Sequence, residues 1–123
     1  MAWLRQAVGA MAVCFLVLAV PALPAAAHSP LASSSPVDGD SVTAAPRTIE
    51  MTFRGTARLV RLALSGALSG EVDLGDGHLM IEKQRHTVSL PEILPDEYEV
   101  RWRALSADGH VLKGSFSFTV EAE

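Results

Sequence analysis

The stretch "EYEVRWRALSADGHVLKGSFSFTV", residues Glu97–Val120, decides the fold. Tyr98, Val100, Trp102 and Ala104 alternate with Glu99, Arg101 and Arg103. Further on, Phe116, Phe118 and Val120 alternate with Ser115, Ser117 and Thr119. A period of two gives an extended segment one apolar and one polar face, so both halves read as half-buried strands. Asp108-Gly109 between them has the chemistry of a tight hairpin turn.

The same period recurs upstream. In "RTIEMTF", Ile49, Met51 and Phe53 oppose Glu50 and Thr52; in "RLVRLALS", Val60, Leu62 and Leu64 oppose Arg61 and Ala63. Weaker strands fit Glu71–Leu74, Leu79–Glu82 and His86–Leu90. "PLASSSP" starts like a strand, and "VDGDSVTAAP" reads as a loop rich in turn residues. No window beyond residue 27 carries a helical period. About seven short strands separated by Gly, Pro and Asp turns imply an all-β chain, an immunoglobulin-like antiparallel β-sandwich with Greek-key connections. The Cys…Trp…Cys framework of antibody domains is missing, so Trp102 is expected in the core with no disulfide beside it.

At the amino end, Arg5 precedes an apolar run from about Val8 to Val20, followed by Pro21, Pro24 and Ala25-Ala26-Ala27. A basic start, an apolar stretch and an A-x-A signature read as a cleaved secretory signal peptide, residues 1–27. The run is shorter than the roughly 18 residues of a spanning helix, so no transmembrane segment is expected after cleavage. The expected mature domain, residues 28–123, is exported to the periplasm or its equivalent. It starts at His28 and lacks Cys14, the only cysteine. Ten Lys and Arg stand against fourteen Asp and Glu, with no basic stripe, which argues against a nucleic-acid partner.

Without a thiolate, any bound metal must rely on N and O donors, with or without methionine. If cleavage falls after Ala27, His28 offers two at once, its α-amine and ring Nδ1. The α-amine titrates about two units below lysine and so gives way to a metal more easily. The plainer reading is a small polar residue following a cleavage site. Asp108 and His110 form a second pair, two positions apart and therefore pointing to one side of an extended segment. A simple hairpin turn explains that pair equally well. An identical triplet, Asp76-Gly77-His78, has no other donor assigned nearby and reads as a hairpin tip with a solvated histidine. His86 reads as a surface or partly buried imidazole. Arg54, Arg58, Arg61, Arg101 and Arg103 read as outward-facing, one of them available to orient Asp108.

Taken together, "HSPLASSSPVDGD", "PRTIEMTF" and "LPDEYEVRWRALSADGHVLKGSFSFTV" resemble the CopC family of exported copper-binding and copper-resistance proteins. The likeness runs from His28 to Val120. It implies a β-sandwich with a Cu(II) site at one end, held by the amine and ring of His28 with Asp108 and His110. Two imidazoles, an amine and a carboxylate suit tetragonal Cu(II) better than tetrahedral Zn(II). The chain departs from the family's pattern in two places: Arg54-Gly55 stands where a carboxylate is often found, and Val111 where a proline follows the motif histidine. Met51 and Met80 read as core, so no separate methionine site for Cu(I) is expected.

The resemblance implies copper sequestration or delivery in the cell envelope, copper resistance or homeostasis, with a copper-transporting inner-membrane protein as partner and no enzymatic activity. A metal-free immunoglobulin-like interaction module is the alternative. A copper oxygenase, which also uses a leading histidine, is a further one. It is disfavoured because Asp108 would fill a coordination position and because two Trp, one Tyr and four Phe offer no exposed aromatic row.

Overall fold

A computed structural model describes residues 30–122. Among them run seven strands and no helix: β1 (Leu31–Ser35), β2 (Asp40–Val42), β3 (Thr48–Gly66), β4 (Gly70–Val72), β5 (Glu82–Ser89), β6 (Asp96–Ser106) and β7 (Val111–Val120). The all-β expectation holds. Three details differ. "RTIEMTF" and "RLVRLALS" are one continuous strand rather than two. Residues 79–81 form a turn and its exit rather than a strand. The expected loop contains β2, which pairs in parallel with β7 and is the exception to antiparallel pairing.

β3 organises the domain. Straight, its 19 residues would reach roughly 60 Å at about 3.3 Å each, about twice the width of a domain this size. It therefore has to bend. Its first part pairs with β1 and β5, its second part with β6 and β4, and the β5 ladder shifts between Thr52 and Ala57. Gly55 and its exposed neighbours Arg54 and Thr56 lie at that shift. A strand that changes partners at such a corner joins the two layers of a sandwich. The second layer continues through β6 to β7 and β2.

The core lies between the layers. Ile49, Met51 and Phe53 come from the first part of β3, and Tyr98, Val100, Trp102, Ala104, Phe116 and Phe118 from β6 and β7. Phe53 meets Trp102 edge-on with centroids 5.2 Å apart, as aromatic quadrupoles prefer. Met51 is buried, as expected. Met80, expected in the core, is 56% exposed because it sits in the 79–81 turn with φ of 63°. Gly114 lies beneath Trp102, and a Cβ there would come within 2.7 Å of the indole.

A β-bulge corrects the inward face of β3. Leu59 pairs with Ala104 and Arg61 with Arg103, leaving Val60 as the extra residue. One inserted residue flips every side chain after it. Hence Ala57 and Leu59 are buried, Val60 is exposed, and Leu64 is buried again.

At the pole away from the β6–β7 turn, the buried Asp96 accepts the amides of Leu68 (3.0 Å), Ser69 (2.7 Å) and Glu97 (2.7 Å). Burial pushes its carboxyl up, but these hydrogen bonds outweigh it and the net pKa is lowered. Nearby, the Tyr98 hydroxyl donates to the carbonyl of Leu94 at 2.5 Å. This resembles the tyrosine corner of immunoglobulin-like sandwiches.

Candidate metal centre

The hairpin between β6 and β7 is built by its own residues. Ser106 N–H donates to the carbonyl of His110, and Gly109 N–H to that of Ser106, both at 2.9 Å. Gly109 takes φ of +83°, the left-handed region in which a side chain is strained. The turn projects from the sheet, leaving the side chains of His110 and Asp108 79% and 66% exposed.

Asp108 and His110 are brought together. His110 Nδ1 lies 2.7 Å from Asp108 Oδ2. The Ser106 hydroxyl donates to Asp108 Oδ1, and the His110 amide donates to Ser106 Oγ at 3.1 Å. These contacts, the Ser106 hydroxyl foremost and the His110 ring next, hold the Asp108 carboxyl down at about 2 against an ordinary 3.8. An ionised carboxylate only accepts, so the ring proton sits on Nδ1 and the neutral imidazole keeps a lone pair on Nε2. In this arrangement Nε2 faces away from the carboxylate, so an ion held by both residues would take the place of the Nδ1 proton between them.

Ser106 went unremarked in the sequence. Its signal was a hydroxyl residue two before Asp-Gly, a spacing at which side chains bond locally in turns. The five arginines proposed as outward-facing are all exposed.

No group of three or more His, Cys, Asp or Glu side chains gathers at one point among the described residues. His28, the third expected ligand, lies outside them. The described chain does begin at the right pole. The carbonyl of Pro30 accepts Arg54 N–H at 3.4 Å, and Leu31 pairs with Phe53. Four positions along the same strand, Ala57 pairs with Ser106.

The second triplet is different. His78 is half-buried rather than solvated, and its Nε2 is buried with no hydrogen-bond partner. Burial chiefly, with His86 adding to it and Asp76 opposing, lowers its pKa. His86, expected at the surface or partly buried, is buried; its Nε2 lies 2.9 Å from the carbonyls of Ala57 and Lys83. That places it in the fabric of the fold.

Fold and turn together define a small all-β sandwich with a solvent-open acid–imidazole pair at one pole. The CopC domain matches residues 31–121, and the chain belongs to the CopC family. Copper resistance protein C of Pseudomonas syringae pv. tomato is 35% identical over 114 residues, covering 79% of this chain and 83% of that protein. Copper transport protein CutJ of Bacillus subtilis (strain 168) is 30% identical over 102 residues, 76% of this chain, which spans only 18% of CutJ's length. Among solved structures, CopC from Methylosinus trichosporium OB3b superposes with a TM-score of 0.61 at 29% identity, over 76% of this chain and 94% of that one. No helix among the described residues is long and apolar enough to cross a membrane.

Proposed function

We propose that the chain is an exported Cu(II)-binding protein that sequesters or delivers copper in the cell envelope, a carrier rather than a catalyst. Cleavage after Ala27 leaves His28 first. Its amine and ring, with Asp108 and His110, form the ligand set. The observation that carries the reading is the juxtaposition of Asp108 and His110 on an exposed turn at the pole where the described chain begins. In the sequence His28 stands two residues before Pro30.

The names of the two relatives, copper resistance protein C and copper transport protein CutJ, support copper as the cargo. Exposure suits a carrier, because a donor on an open turn can leave as an incoming partner's ligand arrives. Since Asp108 stays ionised to about pH 2, loss of copper on acidification is governed by protonation of the nitrogen donors. The carrier works in the periplasm, and a copper-transporting inner-membrane protein is the proposed recipient.

Adding one residue before His28 tests the reading. Isothermal titration with Cu(II) should show a large loss of affinity, and the axial paramagnetic resonance spectrum should lose nitrogen couplings. Unchanged affinity would remove the amino-terminal chelate.

A further inference from the structure

The outward face of the second layer carries a row of cations that the copper site does not use. Arg61 on β3 pairs with Arg103 on β6, and Arg103 pairs with Lys113 on β7. Three like charges thus stand directly opposite one another across adjacent strands, an arrangement that weakens a sheet. All three are exposed. Arg58 is neutralised by Glu82 at 3.6 Å and Arg101 by Glu99. Arg61, Arg103 and Lys113 form no ion pair among the described residues. They line a shallow open concavity together with Arg101, Glu99 and Ser115.

The row spans two interstrand gaps, about 10 Å, and lies about 10 Å below the β6–β7 turn, since Arg103 precedes Ser106 by three positions and Lys113 follows His110 by three. The chain as a whole is acidic, with a formal charge of −4. A flat anionic bilayer would meet that net charge as repulsion. A narrow acidic strand would meet only the local row, because charges beyond about 8 Å are screened at physiological salt. Arginine forks take carboxylates in a planar, two-bond geometry.

We propose that this face, centred on Arg61, Arg103 and Lys113, docks an extended acidic segment of the protein that exchanges copper with the turn above it. The role of that partner rests on the copper reading; the chemistry of the docking face does not. Lying along the sheet, the segment places its carboxylates beside the departing ion.

The test uses metal-free mature protein and a fluorescent oligoglutamate peptide, followed by anisotropy at low and physiological salt. Binding should fall steeply with salt, and the double variant Arg103→Glu/Lys113→Glu should weaken it by at least about tenfold. Arg47→Glu, at the opposite pole, should change it less than about twofold. Equal weakening by Arg47→Glu would reduce the effect to net charge and overturn the proposal. Displacement by inorganic phosphate at an equal concentration of charge would overturn it by showing a point-anion site. Tighter capture by phosphatidylglycerol vesicles than by the peptide would overturn it in favour of a membrane surface. The double variant should keep the wild-type Cu(II) spectrum. Absence of that spectrum from wild-type protein would sink the copper reading while leaving the peptide result to decide docking.

Discussion

Asp76-Gly77-His78 and Asp108-Gly109-His110 are the same three residues in two settings. The later copy closes a hairpin between strands of 11 and 10 residues, so its side chains project beyond the sheet and find each other. The earlier copy lies in the loop between β4 and β5. There His78 turns inward, and lines a small concavity with Leu74, Ile81 and Val88. Its ring is partly desolvated and one nitrogen has no partner. The triplet alone therefore does not make a ligand pair. A rigid hairpin stem and the Ser106 hydroxyl distinguish the later copy.

Metal binding should break the equivalence most sharply. Asp108→Asn or His110→Ala should weaken Cu(II) binding by more than about 100-fold, beyond what loss of an outer partner causes. His78→Ala should leave titration curves unchanged. Equal losses from both triplets would refute the distinction.

Ser106→Ala keeps both proposed ligands and removes what holds one of them. Copper affinity should drop about tenfold. The Asp108 carboxyl should titrate above its value of about 2, moving toward 3.8, as followed by carbon-detected nuclear magnetic resonance.

The two glycines separate the triplets without metal. Gly109→Ala should cost about 1–2 kcal/mol in urea unfolding, because its φ is positive. Gly77→Ala, with open space around its Cβ position and no positive φ, should stay within about 0.5 kcal/mol.

The smallest effect is in pH. His78 has a folded pKa below its ordinary 6.5, so between those two values the unfolded chain binds more protons than the folded one. Its contribution to stability is therefore full above 6.5 and lost as pH falls through the lowered value. Melting temperatures of metal-free protein should fall on acidification, and His78→Gln should flatten that fall.

The strands β6 and β7 were legible because every second residue is apolar and no bulge interrupts their pairing. The phase of β3 was not. "LVRL" is compatible with either inward set, and only the pairing of Leu59 with Ala104 and Arg61 with Arg103 shows Val60 to be the extra residue. β2 escaped notice because three residues on a parallel edge carry no alternation. The burial of His78 depends on how its loop lies against β5, which no local pattern encodes, whereas His86 shares the inward face of β5 with Val88 and packs against Phe53. Asp96, in "LPDEY", carries no local sign of its role, which is to receive amides from residues 68 and 69, distant in sequence. Asp108 and His110 were legible because two positions on a hairpin are enough to bring them together. Ser106 was not, because a serine before Asp-Gly is common.

β3 belongs to both layers of the sandwich, so neither layer can come apart while the other stays whole. Amides at Ile49 and at Leu64 should then exchange with solvent through the same rare global opening. Whatever is gripped at the turn over Ala57 should raise the melting point of the whole domain.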